Sequence, residues 1–257
     1  MPIDLTETPL SEPLGGDPAT RLAALRSSLA ALQLRQTAHR RRLLLIVEGW
    51  EATGKRALMR QVLASLDPCS TEVHCSGVAP IRRDRQHWLA EYWGRLPSAG
   101  HSTIFYRSWY RRLVEERVQR AMADDPFSRG CDEVNEFEAQ QRDHDTLIVK
   151  FFLHCSSDMQ RRRTADRSAD AWERFMVEEG EERREERIPA WNRLFAETDT
   201  RWAPWTLIDA EDVLSGQVRA LEHLVAKLDA ALPAEPPEQP ALPHEATIVD
   251  FASHLAR

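Results

Sequence analysis

Apolar residues recur at three- and four-residue spacing through residues 18–41, which predicts a first amphipathic helix. The pattern then changes period. Leu43 to Val47 is an unbroken apolar run of strand length, and residues 71–75 (TEVHC), 102–106 (STIFY), 146–155 (TLIVKFFLHC, interrupted by Lys150) and 205–209 (WTLID) read as further strands. Helical spacing returns between them. It follows Lys55 as far as Asp67-Pro68, surrounds Trp88, Tyr92 and Trp93 up to Leu96-Pro97, runs from Arg107 to Met122 and across 131–143, and closes the fold over 213–232. Residues 157–198 are highly charged and helical. Strand–helix alternation of this kind predicts an α/β fold, a parallel sheet flanked by helices on both faces, with ligands at the carboxyl ends of the strands. Three such ends, after Val47, Phe105 and Leu153, are the candidate walls of a site.

The first of these ends carries the clearest chemistry. Residues 46–56 read IVEGWEATGKR, a strand delivering the chain to a turn with Gly49 and Gly54 and then to Lys55 at the start of a helix. Glycines allow the backbone to approach an anion, the lysine points an ammonium into the cup, and the helix presents its first N–H groups to the same ligand. The usual phosphate loop follows its lysine with Ser or Thr, whereas here the position is Arg56. The other two ends deliver arginine: Arg107 with Arg111 and Arg112 after the third strand, and Arg161, Arg162 and Arg167 after the fourth. A guanidinium fork contacts two phosphate oxygens at once. Arg82, Arg83 and Arg85 form a further basic patch suited to a polyanion.

Composition narrows the function classes. The chain has 257 residues and a net charge of −7, which argues against general nucleic-acid binding. Its apolar runs are strand-sized and its first residues show no secretory pattern, so neither a membrane span nor export is expected. Cys69, Cys75, Cys131 and Cys155 show no metal-ligand spacing and read as reduced thiols, pointing to a cytoplasmic protein. The expected division is an N-terminal extension and helix over 1–42, a core over 43–230 with a lid at about 157–198, and a Pro/Glu-rich tail over 231–257. The tryptophans read as packing, and the run EEGEERREER reads as an exposed helix laced with i,i+4 pairs.

Five blocks, GWEATGK, IFYRSWYRRLVEERV, VNEFEAQQ, TLIVKFFLHCSSDMQRRR and TDTRWAPWTLIDAED, resemble the polyphosphate kinase 2 family, which includes polyphosphate:AMP phosphotransferases. The resemblance runs in order from Leu43 to Leu228. It implies a P-loop kinase-like fold with a mobile helical lid. The implied reaction is Mg²⁺-dependent phosphoryl transfer between inorganic polyphosphate and a nucleoside mono- or diphosphate (AMP, ADP or GDP), in a homo-oligomer, by resemblance a tetramer. Lys55 matches the family's loop lysine, Arg107 an arginine of the catalytic floor, and Arg167 a lid arginine. Glu51 stands where the family usually has Asp and is the expected metal ligand. Gly49, Gly54, Arg56, Arg111 and Arg112 complete the expected phosphate-binding set. The chain departs from the pattern twice: Arg56 replaces a small glycine, and Tyr106 stands where the family commonly has an aspartate that helps to hold Mg²⁺. Two alternatives accompany this reading. One is an ATP-dependent small-molecule kinase of the P-loop type; the other, motivated by Arg56 and Tyr106, is a non-catalytic polyphosphate- or nucleotide-binding protein.

Overall fold

The computed structural model describes residues 3–238 except 9, 11, 76–86, 120–121 and 177–182. Arg82, Arg83 and Arg85, the C-terminal part of the expected tail and part of the EEGEERREER run lie outside the described residues. The chain follows the alternation expected from the sequence: α1 (Pro18–Ala38), β1 (Arg42–Gly49), α2 (Lys55–Leu63), β2 (Thr71–Cys75), α3 (Ala90–Trp93), β3 (Ser102–Tyr106), α4 (Trp109–Gln119), α5 (Asp124–Asp143), β4 (Thr146–His154), α6 (Ser157–Ala169), α7 (Arg184–Thr198), β5 (Trp205–Asp209) and α8 (Val213–Ala231).

All five strands run parallel in the order β2-β3-β1-β4-β5. β1 is therefore the centre, and the chain leaves it first toward β2 and β3 and later toward β4 and β5. Its carboxyl end is the switch point at which such sheets bind ligands. Side chains alternate along each strand, so one apolar run feeds two cores. Leu44 and Ile46 face a cluster with Phe105, Phe152, Trp109, Phe137 and Trp191, under α4, α5 and α7. Leu43, Leu45 and Val47 face a second with Phe151, Leu29, Val62 and Leu224, under α1, α2 and α8. The helix that the sequence reading set apart as an extension, α1, contributes Leu22, Leu29 and Leu32 to that second core.

Three local differences from the sequence reading have physical causes. First, α5 begins at Asp124, seven residues before the expected 131, because Pro126 sits in the first turn, where its missing N–H is not needed, and two acidic residues suit the helix start. Gly130 within it is packed so closely that a Cβ there would meet Leu113 Cδ2 at 2.6 Å. Second, the helix around Trp88 shrinks to one turn. Third, the lid is not one helix: α6 ends in extended backbone at Asp170, and a 3₁₀ turn (Glu173–Met176) follows.

Lys150, the residue that interrupts the apolar run of β4, is fully buried. Its ammonium donates to the Tyr110 hydroxyl (2.9 Å), Glu138 Oε2 (3.1 Å) and the Thr198 carbonyl (2.9 Å), which uses all three of its donors. The Tyr110 hydroxyl in turn donates to Glu138 Oε1 at 2.6 Å. One side chain thus ties α4, α5 and the end of α7 to the sheet. A buried pair of this kind is destabilising mainly when one partner is lost. Glu138→Ala should therefore lower the free energy of unfolding in urea by about 3–5 kcal/mol. The double variant Lys150→Met/Glu138→Leu should lose less than Glu138→Ala alone; an equal or larger loss would contradict this account.

Candidate functional site

The phosphate loop takes its shape from two glycines. Gly49 closes β1 at φ +139°, and a Cβ there would sit 2.4 Å from the Leu153 carbonyl oxygen of β4. Only glycine permits strands this close with that backbone. Gly54 caps α2 in the left-handed region at φ +84°, and a Cβ would collide with Val213 at 2.7 Å. Between them the Lys55 ammonium folds back and donates to the carbonyls of Gly49 (2.8 Å) and Trp50 (2.5 Å), so the lysine braces the loop from inside. Burial lowers its pKa, opposed by Glu51 and reinforced by Arg107 and Arg111.

Arg107 reaches the loop through an unusual turn. It leaves β3 with φ +64°, uncommon for a residue with a side chain, while its N–H donates to the Val47 carbonyl at 3.2 Å. The turn is secured by Glu48, whose buried carboxyl accepts from the Ser108 N–H (2.7 Å) and hydroxyl (2.9 Å). Burial raises the Glu48 pKa, and the Ser108 bonds work against that rise. So placed, Arg107 donates to Glu51 Oε1 at 2.5 Å, and Lys55 Nζ lies 3.6 Å from the same oxygen. Burial alone would raise the Glu51 pKa; the charges of Lys55, Arg107 and Arg111 outweigh it and hold the carboxyl at about 2. The Tyr106 ring stands beside these cations, its centroid 5.5 Å from the Arg107 guanidinium and 6.0 Å from Lys55 Nζ.

A second carboxylate extends the cluster. Glu115 Oε1 lies 2.8 Å from Arg111 Nε and 2.9 Å from Arg187 Nε, joining α4 to α7. Arg107, Arg111, Arg184 and Arg187 are exposed by only 4%, 9%, 9% and 6%, rare values for arginine, which is seldom buried without a partner. Arg184 lies over the Trp50 ring at 4.6 Å and donates to Gln160 Oε1 (2.6 Å) and the Cys155 carbonyl (2.7 Å). The Trp50 indole N–H donates to His154 Nδ1 at 3.0 Å, which places the imidazole proton on Nε2 in the neutral form. Arg163 of α6 donates to the carbonyls of Ala52 in the loop and of Ala210 and Glu211 after β5. The Glu211 carboxylate accepts from the Ser156 N–H and hydroxyl at the start of α6. The first turns of α6 are thus pinned to the loop.

Of the residues singled out in the sequence, Gly49, Glu51, Gly54, Lys55 and Arg107 converge, and Arg111 adjoins them. Arg56 is half-buried beside them and has no hydrogen-bond or ion-pair partner among the described residues. Arg112 turns to Glu91 (2.6 Å), Glu116 (3.2 Å) and the Trp88 carbonyl (3.1 Å) through its Nε and Nη1, packing α4 against α3. Arg167 lies one turn beyond Arg163, with its Nε 3.5 Å from Glu173 Oε2. EEGEERREER also departs from its reading as an exposed face, because Arg184 and Arg187 are buried. Those two were missed because the run's charge hides its period; with Trp191, Leu194 and Thr198 they recur at three- and four-residue spacing on one helix face. All four cysteines are free thiols. Among the described residues no helix is long and apolar enough to cross a membrane, and no three His, Cys, Asp or Glu side chains converge as a metal site would require.

The chain as a whole is similar to known proteins. The polyphosphate kinase 2 family matches residues 16–236. A polyphosphate:AMP phosphotransferase of Pseudomonas syringae pv. tomato is 32% identical over 194 residues, covering 74% of this chain and 39% of that protein. The chain therefore spans less than half the length of that relative. ADP-polyphosphate phosphotransferase 3 of Rhizobium meliloti is 26% identical over 218 residues, covering 83% of this chain and 77% of that protein. A crystal structure described as a polyphosphate kinase 2 from Pseudomonas aeruginosa PA01 superposes with a TM-score of 0.82 at 28% identity, covering 88% of this chain and 51% of that one.

Burial, with the charge of Arg184 added, holds the His154 imidazole at about 4, well below the ordinary 6.5. As pH falls from 6.5 toward 4, the unfolded chain takes up a proton that the folded chain refuses. The stability tied to this group is whole above pH 6.5 and lost across that window, on the order of 3 kcal/mol. Glu51, held at about 2, adds its own loss only below pH 4.5. His154→Gln keeps an acceptor for the indole and removes the titration, so its unfolding free energy should be flatter than wild type between pH 6.5 and 4.5. A wild-type slope in the variant would show that His154 is not the group responsible.

Proposed function

This chain belongs to the polyphosphate kinase 2 family, and from that premise we propose that it moves a phosphoryl group between inorganic polyphosphate and a nucleoside mono- or diphosphate. The observation that carries the reading is the convergence of Lys55 and Arg107 on Glu51 at the mouth of a phosphate loop. In the reaction, an oxygen of the acceptor's terminal phosphate forms a bond to the end phosphorus of the polyphosphate chain, and the bridging P–O bond breaks. The shortened chain keeps the electron pair. No side chain needs to form a covalent intermediate, so the work of the protein is alignment and charge stabilisation.

An entering phosphate competes with Glu51 for Arg107 and with the loop carbonyls for Lys55. Exchanging those internal partners for phosphate oxygens aligns both cations with the transferring group. Arg111 and the half-buried Arg56 extend the positive surface along which the polyphosphate chain lies, and Arg167 closes with the lid. Arg112 is left out of the set because its partners are elsewhere. AMP and ADP are the acceptors suggested by the names of the relatives. A cytoplasmic homo-oligomer, by resemblance a tetramer, with neither nucleic-acid nor membrane partners, completes the proposal.

The resemblance also brings Mg²⁺, with Glu51 as its ligand. The side chains present do not make a protein-held site for it. Glu51 is the carboxylate at the mouth, it already accepts from Arg107 and faces Lys55, and the neighbouring strand end offers Tyr106 instead of a second carboxylate. The Mg²⁺ of this proposal therefore enters on the phosphate chain, and no step is assigned to it. Tyr106 also favours one second reading, a chain that binds polyphosphate and nucleotide without transfer.

Incubation with polyphosphate and Mg²⁺, with AMP, ADP and GDP in separate reactions and products resolved by chromatography, separates the readings. Arg107→Ala and Lys55→Ala should each lower turnover by about 10³-fold or more while the protein stays folded. Near-normal turnover in either variant would sink the assignment. Absence of product with every acceptor, while polyphosphate still binds, would establish the second reading.

A further inference from the structure

Trp50, in the phosphate loop, has each of its polar groups engaged by a different neighbour. Its N–H donates to the Leu153 carbonyl at 3.1 Å. Its carbonyl accepts from the Lys55 ammonium at 2.5 Å and from the Thr53 hydroxyl at 2.7 Å. Its indole N–H donates to His154 Nδ1 at 3.0 Å. The ring is buried and stands edge-on to Phe152, the centroids 5.3 Å apart, while the Arg184 guanidinium lies over it at 4.6 Å. Arg184 is the first residue of α7, and it is fixed in turn by Gln160 of α6 and by the Cys155 carbonyl after β4.

The two sides of Trp50 therefore face different parts of the molecule. Its backbone carries the lysine of the loop, and its ring receives α6, α7 and the end of β4. A ring held through its N–H, its edge and its face cannot tilt in a close-packed interior without shifting its own Cα. That Cα carries the carbonyl on which Lys55 rests. The charges that bear on Lys55, besides its burial, are those of Glu51, Arg107, Arg111 and Glu48. Arg184 reaches it by another route, a cation stacked on an indole, the aromatic ring that binds cations best. We propose that Trp50 is a positioning residue for Lys55, and that Arg184 sets the place of the lysine through the indole without meeting a phosphate itself. The proposal rests on the reading of Lys55 as the phosphate-binding lysine. Its consequence for transfer is large, because a displacement of about 1 Å at such a group costs up to about 10²-fold in rate.

The chain holds three lysines, Lys55, Lys150 and Lys227, so a carbon–proton spectrum of the full-length protein with carbon-13-labelled lysine identifies Lys55 by its loss in Lys55→Ala. Arg184→Met keeps a long side chain but takes the cation off the indole, and it should displace the Lys55 ε-CH₂ resonance. Arg184→Lys, which returns a cation to the ring, should bring that resonance part of the way back. In a Trp50→Leu background the Arg184→Met change should leave it in place. A Lys55 resonance that Arg184→Met does not move overturns the proposal, and that result stands even where Trp50→Leu fails to fold. Equal displacement with and without the indole overturns it as well, since Arg184 would then act by another path. In transfer assays Arg184→Met should lower kcat by about tenfold while KM for polyphosphate stays within about threefold. A raised KM at unchanged kcat would put Arg184 on the substrate and end the positioning role. Absence of transfer by the wild-type protein would sink the functional reading instead, and the Lys55 resonance alone would then decide the positioning role.

Discussion

Two carboxylates hold four buried cations at the carboxyl edge of this sheet, and much of the surrounding backbone can be understood as serving that arrangement. Charged groups leave water at a cost of several kcal/mol each unless they are paired and hydrogen-bonded. Glu51 meets that requirement for Lys55 and Arg107, and Glu115 meets it for Arg111 and Arg187. The positive φ of Arg107, the buried Glu48 that secures Ser108, and the lysine folded onto its own loop carbonyls are geometric conditions for those pairings. The second charged hub, Lys150 with Glu138, lies deeper and fixes α4 and α7 relative to β4, the same two helices that carry Arg111 and Arg187. Anchoring below and charge pairing above thus act on the same elements.

The fold was legible because its signals are local. An apolar run of five residues, two glycines at loop spacing and a lysine lie within fourteen consecutive positions of the chain, 42–55, and strand–helix alternation supplies the rest. Element positions failed where local punctuation was overruled by its surroundings. Pro126 and Gly130 look like a break, yet one occupies a first turn and the other a helix contact too tight for a side chain.

The site was legible in part, for the same reason. Residues of the loop and of the β3 end could be named from sequence because each stands at a strand end. Arg184 and Arg187 could not, since their partners Gln160, the Cys155 carbonyl and Glu115 lie 24, 29 and 72 positions away. Arg112 shows the opposite effect. It adjoins Arg111 in sequence, but consecutive helical residues point about 100° apart, so one faces Glu115 and the other α3. Arginine content drew attention to the region, while the helical period decides which of its arginines adjoin the loop.

The charged span between β4 and α7 is held at both of its ends by arginine: Arg163 grips the loop and the end of β5 where the chain departs, and Arg184 grips Trp50 and the Cys155 carbonyl where it returns. Of the intervening residues, those described contribute no side chain to either hydrophobic core. Lengthening such a span is inexpensive, since doubling a closed loop adds only about 0.6 kcal/mol of chain entropy. The described part of the segment between the two arginines can therefore change in sequence or length without disturbing the core beneath it.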